Sequence, residues 1–253
     1  MVQLKNWFDS HKIVPNIGKT KLILFNYKEN KKLKKIKTIK WDGIPIEQVS
    51  QTKYLGLIID SKLTWSNHLI EMKKRTQKLN GMLYYLSKFF KRKHLKRIYQ
   101  TLVQPIYRFG IIHWGNAADY RLRGVVTSQK YAIRIITGSK RNEETGKKFG
   151  ELEILKLKEL YQYEIARYGL INHKNFGIVL NAQRVRRKGP IIIKFPRWLH
   201  VHSCIQGNYM VRKVLNTLSD TVWIREDPTP LNQKTISRYL KLLKVHFFAR
   251  YNA

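Results

Sequence analysis

Two groups of residues in this 253-residue sequence have types and spacings that bear on chemistry. His200, His202 and Cys204 recur with period two, which on a strand would place three soft metal ligands on one side. Zinc needs four ligands converging tetrahedrally, and three crowded onto one strand reach that geometry only with help from elsewhere. The remaining imidazoles are scattered singly and Cys204 is the sole cysteine, so the trio reads as a structural strand rather than a metal site. The second group is cationic. Between residues 71 and 140, sixteen lysines and arginines stand against only Glu71 and Asp119. An ordinary surface helix mixes both signs, so the missing acidic half favours phosphate contact over a merely solvated face.

The whole chain repeats that imbalance, with 50 Lys and Arg against 16 Asp and Glu and a formal net charge of +34. Charge on that scale repels itself in a compact fold, and a polyanion, nucleic acid foremost, is the partner that relieves it. No run of about eighteen uncharged apolar residues is present to span a bilayer. Met1 to Ser10 lacks a positive segment followed by an apolar core, so the sequence predicts an intracellular protein, nuclear or cytoplasmic, with no membrane partner. One cysteine excludes an internal disulfide and a multi-cysteine zinc module. Hydrophobic residues at 43% and aromatics at 12% suffice for a core.

The elements that must position these groups follow from periodicity. Lys21 to Tyr27 reads as a short strand, and Lys28 to Lys35 as an exposed loop. Ile36 to Trp41 alternates apolar with polar, Asp42-Gly43 tolerates positive φ, and Ile44-Pro45-Ile46 returns, which predicts a hairpin with Pro45 on an edge. Tyr54 to Ile59 adds another strand, so residues 1–65 are expected to hold a small antiparallel sheet. After Trp65 the period changes. Leu69, Met72, Thr76, Leu79, Leu83 and Leu86 draw one stripe on a long helix, with Ser66 as N-cap and Trp65 and Ile70 as its hydrophobic staple. A second helix starts near Arg92 on Leu95, Tyr99, Leu102 and Ile106, kinked or ended by Pro105. A third carries Leu122, Val125, Ala132 and Ile136, and Gly138 stops it. The fold class expected is α+β, a small sheet followed by a helical bundle over 66–140 and a mainly helical region over 153–253, with 141–152 as a polar linker.

A set of short motifs falls in one order along the chain: Trp7-Phe8, Asn16 to Lys21, Lys53-Tyr54-Leu55-Gly56, Leu63-Thr64-Trp65, His68, Gln104-Pro105-Ile106, Tyr107, Gly110, Trp114-Gly115 and Arg134 to Gly138. In this order and at these spacings the chain resembles the reverse transcriptases of non-LTR retrotransposons, particularly jockey-like elements, from residue 1 to about 140. Glu159 to Tyr163 and Tyr239 to Lys244 look like the C-terminal extension of the same proteins. The resemblance implies that residues 1–65 are the rear of a polymerase palm, following its catalytic Tyr-x-Asp-Asp turn, and that 66–140 are its thumb.

It also implies roles for particular residues. Lys19, with Lys21 beside it, matches a lysine near the incoming nucleotide's phosphates, where a cation offsets charge on departing pyrophosphate. The alternative is a surface lysine ending the turn after Gly18. Tyr54 and Gly56 match the primer-grip hairpin, where a residue without Cβ lets backbone phosphates approach. The bland alternative is a strand glycine at a bulge. The thumb helices would lie along a template and primer duplex, with Lys73, Lys74 and Lys78 on the first and Arg92, Lys93, Lys96 and Arg97 on the second touching phosphates. Tyr84, Tyr85, Phe89 and Phe90 stand among these cations and could stack on bases, but at helical spacing such aromatics are more often core, and core is the expectation, as it is for Tyr107 and Trp114.

Catalytic carboxylates are another matter. Asp9, Asp42, Asp60, Asp119, Asp220 and Asp227 stand singly, while two-metal phosphoryl transfer needs clustered carboxylates holding magnesium ions about 4 Å apart. The sequence therefore predicts a fragment that binds RNA or an RNA/DNA duplex through phosphates without polymerising by itself, with no catalytic residue and no cofactor of its own. Magnesium and the preceding part of the polymerase, as a protein partner, belong to the intact enzyme it resembles. The alternatives are an incomplete stretch of an active RNA-directed DNA polymerase and a decayed product without a selected role. Toward the C-terminus, Leu155, Leu157, Leu160, Tyr161, Ile165, Tyr168 and Ile171 predict a long helix, and Ile236, Tyr239, Leu240, Leu243 and Phe247 a closing one. Arg184 to Lys188 is a basic cluster usable for nuclear import or phosphate contact, and specific for neither.

Overall fold

A computed structural model describes residues 2–25, 38–172, 214, 233–249 and 251. The loop at 28–35, the basic cluster at 184–188 and the His200 to Cys204 trio lie outside the described residues. The chain divides into two compact units, Met1–Glu71 and Met72–Ala253, with the division falling inside one long helix.

The first unit opens with α1 (Val2–Ser10), an element the sequence did not announce, then a short 3-10 turn at Ile17–Lys19 capped by the Asn16 side chain. Among the described residues six short strands come next: β1 (Lys21–Leu22), β2 (Lys40–Trp41), β3 (Ile44–Pro45), β4 (Glu47–Gln48), β5 (Gln51–Tyr54) and β6 (Leu57–Asp60). The expected single antiparallel sheet is instead three separate two-stranded ladders, and β1 pairs with β4 in parallel. Pro45 in β3 supplies no ladder donor, which limits that strand to an edge. Of the described part of the strand predicted from Lys21, residues 21–25, Lys21 and Leu22 form ladder.

Both hairpins use the same turn chemistry. Asp42 and Gly43 have φ of 46° and 81°, and Leu55 and Gly56 have φ of 45° and 87°, the positive pair of a type I′ turn. Gly56 is thus at a hairpin tip, not inside a strand, and the stretch read as one strand from Tyr54 to Ile59 is broken there. Tyr54 pairs with Leu57 across the turn. The hairpin is not buried: β5 is largely exposed and β6 half-buried.

Asp60 ends β6 and organises the turn beyond it. Its Oδ1 accepts from the Lys62 and Thr64 amides at 3.2 and 3.0 Å, and Oδ2 from the Trp65 amide at 2.8 Å. These bonds hold a conformation in which Leu63 and Trp65 adopt positive φ. Helix α2 (Ser66–Leu86) then begins, its first bond running from the Leu69 amide to the Trp65 carbonyl at 2.9 Å. Ser66 therefore lies inside the helix rather than capping it. Ile70 is 52% exposed and Trp65 turns its ring edge toward His68, so the expected staple does not form. His68 itself is buried, and its Nδ1 accepts from the Ile58 amide at 3.4 Å.

In the second unit, α3 (Arg92–Ile98) runs on through a π-helical stretch at Tyr99–Val103 into α4 (Gln104–Arg108). Pro105 cannot donate to the carbonyl one turn back, and the wider π turn just before it absorbs that loss. The wider turn also shifts the buried stripe. Leu95, Tyr99, Val103 and Tyr107 are buried at spacings of four, whereas the predicted Leu102 is 43% exposed and Ile106 half-buried. Spacing of four drifts around an ideal helix and stays in line only where the helix is underwound.

Next come α5 (Ile111–Trp114), α6 (Asp119–Thr137), α7 (Gly146–Glu151), α8 (Leu157–Ile171) and α9 (Gln233–Ala249). Gly138 ends α6 at φ 67°, with the Ser139 amide returning to the Arg134 carbonyl at 2.9 Å, as predicted for a glycine stop. The stretch read as a linker holds α7, which buries Phe149 and leads to buried Leu152.

Two polar clusters join these helices internally. Thr76 and Ser128 hydroxyls lie 2.9 Å apart, and Asn80 Nδ2 donates to the Ser128 carbonyl at 2.9 Å, pinning α2 to α6. Gln129 Nε2 donates to the Leu155 carbonyl at 3.0 Å while its Oε1 accepts from the Leu157 amide at 3.0 Å, fixing the start of α8. Trp114-Gly115 is explained by packing. A Cβ on Gly115 would come within 2.3 Å of the Tyr161 ring, so α5 reaches α8 only because that position has no side chain. On α8, Leu157, Leu160, Tyr161 and Ile165 are buried as expected, but Tyr168 and Ile171 are exposed. On α9, Tyr239, Leu243 and Phe247 are buried and the helix packs on α8.

Candidate nucleic-acid interface

The cations of α2 take their place from its buried stripe. Leu69, Met72, Thr76, Asn80 and Leu83 are buried, and 3.6 residues per turn puts Lys74 and Lys78 on the opposite side, one turn apart. Both are exposed, as are Lys73 and Arg75, and none of the four makes an ion pair among the described residues. Lys73 stands at the margin of the stripe. Its stem crosses α6 at Gly124, where an added Cβ would come within 3.1 Å of the Lys73 Cδ. That contact steers the ammonium along the α2 and α6 flank.

On α3 the four predicted cations divide. Arg92 Nη2 pairs with Glu151 at 2.7 Å and Lys96 Nζ with Glu153 at 2.9 Å, tying the start of α3 to the end of α7 and the turn after it. Lys93 and Arg97, four residues apart on an exposed face, make no ion pair among the described residues. Exposed ion pairs contribute about 0–1 kcal/mol, so the engaged cations of α3 can still exchange onto phosphate.

The largest departure from expectation lies between these helices. Tyr84, Tyr85, Phe89 and Phe90 are 55%, 60%, 67% and 45% exposed rather than core. The buried stripe of α2 ends at Leu83 and that of α3 begins at Leu95, and the four rings fall between the two. Tyr107 and Trp114, by contrast, are fully buried as predicted.

In the first unit, Lys19 sits on the exposed 3-10 turn, its amide donating to Asn16 Oδ1 at 3.1 Å, and Lys21 is engaged with Glu47 across the β1 and β4 ladder. Tyr54, 62% exposed, and Gly56 stand at the β5 and β6 tip, where Leu55 is 76% exposed. These residues and those of α2 and α3 belong to separate compact units. The carboxylates have local duties: Asp42 pairs with Lys5 at 2.5 Å, Asp60 holds the turn before α2, and Asp119 lies in the first turn of α6. Among the described residues no three His, Cys, Asp or Glu side chains converge to hold a metal.

The described residues thus offer an exposed cationic face on α2 and, in the other unit, an exposed hairpin tip, and sequence comparison shows which proteins the chain is similar to. Over 100 residues, 38% of its length, the chain is 28% identical to the probable RNA-directed DNA polymerase from transposon X-element of Drosophila melanogaster. Over 103 residues, 39% of its length, it is 34% identical to the probable RNA-directed DNA polymerase from transposon BS of the same organism. The resemblance to transposon reverse transcriptases is thus present in alignment as well as in motifs. The chain spans about a tenth of the length of these curated relatives, 11% of each. No family model matches the chain, and no solved structure matches it. Among the described residues no helix is long and apolar enough to cross a membrane.

Proposed function

We propose that this chain is the duplex-holding part of a retroelement reverse transcriptase, with residues 1–65 as the rear of the palm, 66–140 as the thumb and 153–253 as the extension. Its partner is RNA or an RNA/DNA duplex, gripped through phosphates by Lys73, Lys74, Lys78, Arg92, Lys93, Lys96 and Arg97, with Lys19, Lys21, Tyr54 and Gly56 serving the primer side. The observation that carries this reading is the α2 face, where Lys74 and Lys78 stand exposed opposite the buried stripe and make no ion pair among the described residues, with Glu71 the one acid on that helix. Polymerisation needs the clustered carboxylates and magnesium of a preceding segment. The alternative reading, an incomplete stretch of an active RNA-directed DNA polymerase, assigns the same grip to the whole enzyme.

A salt titration tests the grip. Counterion release makes the logarithm of the binding constant fall linearly with the logarithm of salt, with a slope near −0.9 for each phosphate neutralised on B-form duplex. Binding of a short RNA/DNA duplex to the chain is expected to weaken by orders of magnitude between low and physiological salt. A flat profile removes the phosphate reading. Addition of the upstream segment with its paired aspartates is expected to give template-directed nucleotide incorporation that the chain alone does not show.

A further inference from the structure

We infer that the corner between α2 and α3 is a base-stacking site for single-stranded nucleic acid, with Tyr85 and Phe89 as its platforms. Four aromatic side chains, 45% to 67% exposed, gather within seven residues of sequence. The Tyr85 and Phe89 ring centroids are 5.4 Å apart with planes inclined at 58°, so each ring offers its own face. The backbone beneath is fixed: Phe89 and Phe90 amides both return to the Leu86 carbonyl at 3.0 Å, and Ser87 Oγ donates to the Tyr84 carbonyl at 2.6 Å. A platform held this way loses little freedom on binding.

The surroundings select the occupant. Lys88, Lys91, Arg92 and Lys93 adjoin the rings in sequence, and no acidic residue occurs from 72 to 118. The carboxylate that reaches this corner is Glu151, already paired with Arg92. A second copy of the chain would bring the same cations to the contact and be repelled. An oligonucleotide supplies both complements at once, anionic backbone for the cations and unpaired π faces for the rings. The inference rests on the nucleic-acid reading and adds recognition of bases to recognition of phosphates.

The test compares three ligands of equal length, an oligoadenylate strand, an abasic strand with the same phosphates, and a blunt duplex, on the native chain and on Y85A/F89A. Stacking is worth about 1–3 kcal/mol per base, so oligoadenylate affinity is expected to drop about tenfold or more in the variant while abasic and duplex affinities hold. Equal loss on every ligand, or no loss on oligoadenylate, overturns the inference. Failure of the native chain to bind any of the three instead overturns the nucleic-acid reading itself. F89W keeps a stacking ring and guards against misfolding. It is expected to retain oligoadenylate affinity and to show emission quenched by oligoadenylate but not by the abasic strand. A native dimer in sedimentation that becomes monomeric in Y85A/F89A would assign the corner to self-association and also overturn the inference.

Discussion

The four aromatics around the end of α2 and the three at Tyr99, Tyr107 and Trp114 stand close together along the chain, yet they have opposite fates. Tyr99, Tyr107 and Trp114 are fully buried, and burial drives the Tyr99 hydroxyl to ionise well above the ordinary tyrosine range and raises that of Tyr107, with Ser128 and Thr76 beside Tyr107 pulling it back. Tyr84, Tyr85, Phe89 and Phe90 are left in solvent. The difference lies in what each helix meets. α3 packs on α6, whose Ser128 and Gln129 are buried, and α4 packs on α8, while the buried stripe of α2 ends at Leu83. Aromatic content alone says nothing about core.

Removing Trp114 should break the buried side hardest. Trp114→Ala leaves a large cavity and is expected to cost about 3–5 kcal/mol in urea unfolding, against less than about 0.5 kcal/mol for Phe89→Ala. Equal costs at the two positions would erase the contrast. Gly115→Ala forces the Tyr161 ring away and is expected to cost about 1–3 kcal/mol or more by the same measurement. Gln129→Leu strips hydrogen bonds from the Leu155 carbonyl and Leu157 amide and should cost about 1–3 kcal/mol, with earlier amide exchange at the start of α8.

On the exposed side, Lys74→Gln with Lys78→Gln should leave the urea midpoint in place and reduce the salt slope of duplex binding by about 1–2. An unchanged slope would remove those lysines from the interface. The smallest effect expected is that of pH. The buried Tyr99, Tyr107 and Tyr161 keep their protons in the native state while the unfolded chain releases them near pH 10, so their contribution is intact below about pH 10 and declines as pH rises beyond it. Urea midpoints on either side of that value check the sign.

Elements that depend on local pattern are legible along the chain. The Asp42-Gly43 hairpin turn, the long helix after Trp65, the glycine stop at Gly138 and the buried Tyr239, Leu243 and Phe247 follow from turn chemistry and helical period. The stripe of α3 departs from the predicted Leu102 because a π turn is invisible to a periodicity that assumes 3.6 residues per turn. Ser66 loses the expected capping role because the Asp60 carboxylate, six residues earlier, takes over the turn before α2. Of the candidate interface, the α2 cations are legible from the absence of acids. The pairing of Arg92 and Lys96 with Glu151 and Glu153 joins residues more than fifty apart and leaves no local trace.

The sequence by itself determined the charge, the helical periods and the resemblance to transposon polymerases, because each is a property of composition or of residues close together along the chain. The tertiary structure alone decided which aromatics are buried, which cations are already paired and where Gly115 must stay bare, because those outcomes depend on the surface each helix meets once the chain has closed on itself.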